Sequence, residues 1–190
     1  VTNHDLLMVD ISMGGGVILP APENSFYCID EAHHLPKKAL NQFAAEHTWL
    51  HAMWTAEKLP QQTQKIALLT DKLELANLAN EAATSLLDSL NEWQFHLLDA
   101  PELASSEQDH ETIWLWQDGI IPPELENLVH NTNIAAQALA NNVSQLADAL
   151  AAARRDKDQD SSQIDRISTE FGLFVARTEQ IAAVWQLIAT

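Results

Sequence analysis

From about residue 36 onward, apolar residues recur at spacings of three and four, the pattern of helices that each bury one face. Lys38 to Lys58 supplies Leu40, Phe43, Ala44, Leu50 and Trp54 and predicts a first helix, with Pro36 suited to its opening turn. Pro60 is expected to open a second, running to about Leu98 on Ile66, Leu69, Leu73, Ala76, Ala83, Leu87 and Leu90, interrupted by Asn80 and stopped by Pro101. A polar stretch, Ser105 to Asp109, and an apolar island, Ile113-Trp114-Leu115-Trp116, follow. Pro122-Pro123 starts a third helix on Leu125, Leu128, Ala135, Leu139, Val143, Leu146 and Leu150. After the charged turn at Arg154-Arg155-Asp156-Lys157-Asp158, a fourth carries Ile164, Ile167, Phe171, Phe174, Ile181, Trp185 and Ile188. Four long amphipathic helices with shorter connections predict a mainly α protein built as a four-helix antiparallel bundle. No repeat of solenoid length is present.

The first 40 residues follow a different rule. Asp5-Leu6-Leu7-Met8-Val9 predicts a short helix behind Thr2 and Asn3, and Gly14-Gly15-Gly16 breaks it. Pro20 and Pro22 extend the loop. Ser25-Phe26-Tyr27-Cys28-Ile29 is rich in strand formers and ends abruptly in Asp30-Glu31-Ala32-His33-His34. A lone strand is not stable, so this segment reads as an orphan from a sheet outside the chain, or one that pairs differently here.

Charge sharpens the picture. The formal net charge is −17, and no Lys or Arg occurs between Lys72 and Arg154. Such a surface repels the phosphates of duplex DNA; it reads either as a solubilising face or as a docking face for a basic partner. No apolar run approaches the length of a membrane span. The opening Val1-Thr2-Asn3-His4-Asp5 has neither the basic start nor the cleavage pattern of a signal peptide, and without an initiator Met it suggests a section of something longer. The single cysteine, Cys28, precludes an intramolecular disulfide and is compatible with a reducing cytoplasm.

The sharpest chemical signal is Asp30-Glu31-Ala32-His33. An apolar strand that delivers two acids at its C-terminal end is the Walker B arrangement. The first carboxylate can hold Mg²⁺ through its water shell, and the second can orient or deprotonate the attacking water. The competing reading is an acid-rich helix start with solvated histidines. No G-x-x-x-x-G-K-[ST] accompanies it, and Gly14-Gly15-Gly16 reads as a surface loop, not a phosphate cradle.

Val1-Thr2-Asn3-His4-Asp5-Leu6-Leu7, followed after a loop by Cys28-Ile29-Asp30-Glu31-Ala32-His33-His34-Leu35-Pro36, resembles the DinG family of bacterial helicases, relatives of XPD within superfamily 2. The motif resemblance covers about residues 1–40; the rest matches the family's helical arch in position, helical character and approximate length. The resemblance implies that residues 1–37 are a fragment of the first motor domain with the DEAH box, and 38–190 the arch. It implies an ATP-dependent DNA helicase of 5′-to-3′ polarity acting in repair and replication in the bacterial cytoplasm. Asp30 would hold Mg²⁺, Glu31 would be the catalytic acid, and His33 would couple nucleotide state to other motifs, with His34 structural. ATP and Mg²⁺ would be the parent's cofactors, and a 4Fe–4S cluster, if present, would draw its cysteines from upstream of Val1. The arch would help frame single-stranded DNA, and this chain alone is expected to be inactive and to bind that strand weakly. The rival reading is an acidic helical protein-interaction module with no nucleotide chemistry.

The remaining features point less sharply. His47 and His51 have the i, i+4 spacing of a helical metal pair but no evident third ligand. Trp49, Trp54, Trp93, Trp114, Trp116 and Trp185 suit core packing better than base stacking, because most lack basic neighbours. Trp114 and Trp116, in a predicted loop, are the exceptions. Arg154, Arg155 and Lys157 read as a solvated helix end or as a phosphate contact.

Overall fold

A computed structural model describes residues 2–99, 120–155 and 161–190. The stretches expected at Pro101, Ser105 to Asp109, Trp114, Trp116 and Lys157 lie outside the described residues. The chain divides into two compact units, Val1–Ala45 and Glu46–Thr190.

The first unit holds two short helices, α1 (His4–Ser12) and α2 (Leu35–Phe43). The Asn3 side chain caps α1 by accepting from the Leu6 N–H at 2.8 Å. Gly14, Gly15 and Gly16 all take positive φ and turn the chain back after it. Pro36 sits in the first turn of α2. Lys38 of α2 pairs with Asp5 of α1 at 2.7 Å, but both groups are solvated, so the pair contributes about 0–1 kcal/mol. Ser25–Ile29 adopts no regular structure, and no strand occurs among the described residues. The strand formers are there; a ladder partner is not. Consequently Phe26 is fully exposed, and Leu6, Ile11, Val17, Tyr27 and Leu40 are exposed too, while Met8 is the unit's one buried apolar residue among those described.

The second unit is the bundle: α3 (Trp49–Thr70), α4 (Leu73–Asp99), α5 (Glu126–Ala153) and α6 (Ser161–Ile188). Each helix packs on the next, and α6 returns against α3. The bundle matches the expected class, but two helix boundaries differ from the sequence reading. The apolar spacing predicts one helix from Lys38 to Lys58; the chain breaks instead after Phe43, and Thr48 starts α3 by accepting from the His51 N–H at 3.3 Å. Threonine favours this capping role over a place inside a helix. Pro60, expected to open a helix, lies inside α3. Interior proline costs about 3 kcal/mol because it lacks an N–H and crowds the preceding turn. Here Ala52, Thr55, Ala56, Leu59, Thr63, Ile66 and Ala67 form one buried stripe that continues through it. The packing of that stripe outweighs the local cost. The true break is Asp71, with φ 53°, leaving a tight connection to α4.

On α4 the buried face runs through Ala76, Ala79, Ala83, Leu86, Leu90 and Trp93, whereas Leu73 is exposed and Leu87 half-buried. Asn80, the interruption in the apolar spacing, accepts from the Thr63 hydroxyl at 2.7 Å and so ties α4 to α3. The seams of α5 and α6 lie as expected, with Leu139, Val143, Leu146, Ile164 and Phe171 wholly or almost wholly buried. Trp93 is buried against Trp185 at 5.4 Å and donates its indole N–H to Thr132 at 3.0 Å. No described helix is long and apolar enough to cross a membrane.

Candidate functional site

The acidic pair sits on a turn. Asp30 and Glu31 lie between the irregular Ser25–Ile29 segment and the single helical turn Ala32–His34 that leads into α2. Glu31 adopts φ 51° and ψ 39°, a left-handed conformation rare for a residue with a side chain. The same turn lets the Glu31 N–H donate to Asp30 Oδ1 at 3.0 Å. The Asp30 carbonyl accepts from His4 Nε2 at 2.9 Å, which fixes the proton on that ring nitrogen. The Asn-His element that starts α1 therefore holds the backbone of the first acid, although 26 positions separate them.

The side chains divide into two groups. Glu31, His33 and His34 offer ligand atoms that all lie within 4.8 Å of one another. Within that group Glu31 Oε2 and His33 Nδ1 are 3.3 Å apart, and the rings of His33 and His34 are 4.0 Å apart. Asp30 is outside the group. All four residues are exposed. Mg²⁺ prefers oxygen donors, keeps several waters, and is commonly held by one or two carboxylates together with substrate phosphates. An exposed Asp30 with one carboxylate oxygen left open among the described hydrogen bonds fits that role; the histidine-rich group fits it poorly. A groove of about 440 Å³, lined by Asn3, His4, Leu7, Tyr27 and Asp30 among others, runs beside the acid.

The glycine triplet is part of a second anion arrangement. The N–H groups of Gly16, Val17, Ile18 and Leu19 all donate to the Asp10 carboxylate, at 2.6 to 3.2 Å. Asp10 is buried, and the N–H groups of Ile18 and Gly16 hold its carboxyl below the usual range against the opposing effect of burial. These amides face a side chain of the same chain. Sequence reading missed Asp10; an acid four residues before a glycine run was the available signal.

In the bundle, charge is unevenly placed. Helix α4 carries Glu74, Glu81, Asp88 and Glu92, and α5 carries Glu126 and Asp148, with no Lys or Arg on either. Helices α3 and α6 carry Lys58, Lys65, Arg166 and Arg177 against Glu57, Asp165, Glu170 and Glu179, a balanced set. Of the other sequence candidates, His51 is exposed and His47 half-buried, and they join no group of three metal-ligating side chains among the described residues. Burial lowers the pKa of His47, partly offset by its contact with the Thr48 carbonyl. Trp93 and Trp185 are core residues, Trp49 packs at the core edge, and Trp54 is partly exposed. Arg154 pairs with Asp165 at 2.7 Å. Cys28 is an exposed free thiol.

No family model matches the chain. It is similar to the ATP-dependent DNA helicase DinG of Photobacterium profundum, 29% identical over 194 residues. That similarity covers 100% of this chain but only 27% of the helicase, so the chain spans about a quarter of its relative's length. The chain is thus distantly homologous to part of an ATP-dependent DNA helicase.

Proposed function

We propose that this chain is a section of an ATP-dependent DNA helicase, carrying half of its nucleotide site at residues 1–37 and a helical arch at 38–190 that helps frame single-stranded DNA. The observation that carries the reading is the fixed turn at Asp30 and Glu31, with His4 bonded to the Asp30 carbonyl and His33 beside the Glu31 carboxylate. Similarity to a DNA helicase along the whole chain supports it. Asp30 would hold Mg²⁺, which would neutralise charge on the phosphates; Glu31 would orient the attacking water and take its proton, and His33 would link the Glu31 carboxylate to the rest of the motor. In the parent, Mg²⁺-ATP supplies the phosphoryl group, cradled by a phosphate-binding loop that this sequence does not contain. The apolar side chains exposed around Phe26 are the surface that the remainder of the motor sheet covers. The single cysteine cannot hold an iron–sulfur cluster, so any 4Fe–4S group of the parent uses other ligands. On this reading the parent works in the bacterial cytoplasm.

The acidic residues of α4, with no Lys or Arg beside them on that helix or on α5, support one further element, a docking face for a basic protein partner rather than for DNA. The reading is tested by ATP hydrolysis. The parent protein is expected to lose Mg²⁺-dependent turnover in Asp30→Asn, and the 190-residue chain alone to show none. Turnover by the chain alone that vanishes in Asp30→Asn would contradict the half-site.

A further inference from the structure

We propose that the groove between α3 and α6 is a binding site for a backbone phosphate of single-stranded nucleic acid, with Arg177 as its anchoring cation. The inference rests on the reading of the bundle as part of a DNA helicase, which selects a phosphodiester over other anions. The groove itself is an observation about this molecule. It encloses about 280 Å³ and is lined by His47, His51, Leu173, Arg177, Gln180 and Ile181, together with Ala176, and among the described residues no carboxylate lines it. For a protein with a net charge of −17, that is an unusual stretch of surface.

Arg177 is held ready. Its guanidinium lies 4.7 Å from the centre of the Trp54 ring, and that ring also stacks on Phe174 at 5.5 Å. A guanidinium fixed on an aromatic face keeps its N–H fork available and loses little freedom on meeting a phosphate. No carboxylate forms an ion pair with it among the described residues, whereas Glu170, nearby on α6, is engaged by Lys65 at 4.0 Å and Arg166 at 3.6 Å. Gln180, on the next turn of α6, adds an amide donor, and His51 adds a ring N–H from α3. His47 and His51, which line the groove, stand on either side of Thr48, the N-cap of α3, whose dipole favours an anion. The placement of charge agrees. A strand is repelled most by α4, with Glu74, Glu81, Asp88 and Glu92 and no Lys or Arg, and can approach the balanced charges of α3 and α6.

The test is a fluorescence-anisotropy titration of the chain with labelled oligothymidine at a series of low salt concentrations. Arg177→Ala is expected to weaken binding roughly 3- to 10-fold and to flatten the logarithmic salt slope by about 0.7, the contribution of one phosphate contact on a single strand. Arg177→Lys should keep the slope while losing part of the affinity, which separates lost charge from damaged folding; the thermal melt of each variant checks the fold. The double variant R154A/R155A, at the other basic cluster, should bind within about 2-fold of the parent sequence. An unchanged slope in Arg177→Ala, or an equal change in R154A/R155A, would overturn the site. So would equal displacement of the oligonucleotide by an acidic peptide, or binding of inorganic phosphate at Arg177 with no oligonucleotide binding. Any of these failures leaves the hydrolysis test at Asp30 unaffected, so the two readings fall separately.

Discussion

Truncating Leu139 should cost far more stability than truncating Phe26, although Phe26 is the larger side chain. Leu139 is 0% exposed at the middle of α5, the helix that packs against α4, α6 and α3. Leu139→Ala removes buried apolar atoms and leaves a cavity that neighbouring helices fill only in part. Such changes cost about 2.7–5.0 kcal/mol. For a bundle of this size each kcal/mol moves the melting temperature by about 2–4 °C, so the shift should be roughly 5–20 °C. Phe26 is 106% exposed and touches no core. Phe26→Ala should therefore stay within about 0.5 kcal/mol. Urea titrations followed by circular dichroism, with thermal melts beside them, measure both. If Phe26→Ala were as costly as Leu139→Ala, the segment before the acidic turn would be packed in this chain, and its assignment as a surface awaiting a partner would be wrong.

Other outcomes follow from single contacts. Asp71 sits at φ 53°, so Asp71→Gly should raise stability by about 0.5–1 kcal/mol in the same urea titration, since glycine takes that conformation without steric cost. Asn80→Ala should cost about 1 kcal/mol, because it removes the acceptor of the Thr63 hydroxyl, which can still turn to the Pro60 carbonyl. The lowered pKa of Asp10 means its contribution is complete above the ordinary carboxylate value of 3.8 and is lost as pH falls through the lower folded value. Amide protection at residues 16–19, taken relative to the intrinsic exchange rate at each pH, should fall in that acid range, and Asp10→Ala should show low protection at neutral pH. His47 is also lowered, by burial, so its contribution is complete above its ordinary 6.5 and declines as pH falls below that. His47→Gln should remove this part of the pH dependence of the melting temperature.

Periodicity made the bundle legible because four buried stripes are long, and two of them, on α5 and α6, follow the sequence pattern almost residue by residue. Its failures are physical. Pro60 looks like a helix start because local sequence cannot show that a stripe continues on both sides and is buried by other helices. Thr48 looks like one more helical position because its capping bond appears only once the chain has turned. Asn80 looks like a flaw in α4 until its partner Thr63 is brought beside it. The acidic turn is visible as Asp30-Glu31-Ala32-His33, a contiguous run. Its support from His4, the left-handed backbone at Glu31 and the enclosure of Asp10 by four amides depend on a fold across many positions, and no spacing rule announces them.

The central claim, that Glu31 is the proton-handling acid of a nucleotide site anchored by Asp30, is tested most directly by Glu31→Gln in the parent protein. ATP binding and steady-state hydrolysis should be measured on the same preparation, in the presence of single-stranded DNA. The neutral side chain keeps the volume of Glu31 but cannot accept a proton, so hydrolysis should fall by about 10²–10⁴-fold while ATP affinity stays within a few-fold. Hydrolysis at the rate of the unchanged protein would contradict the account.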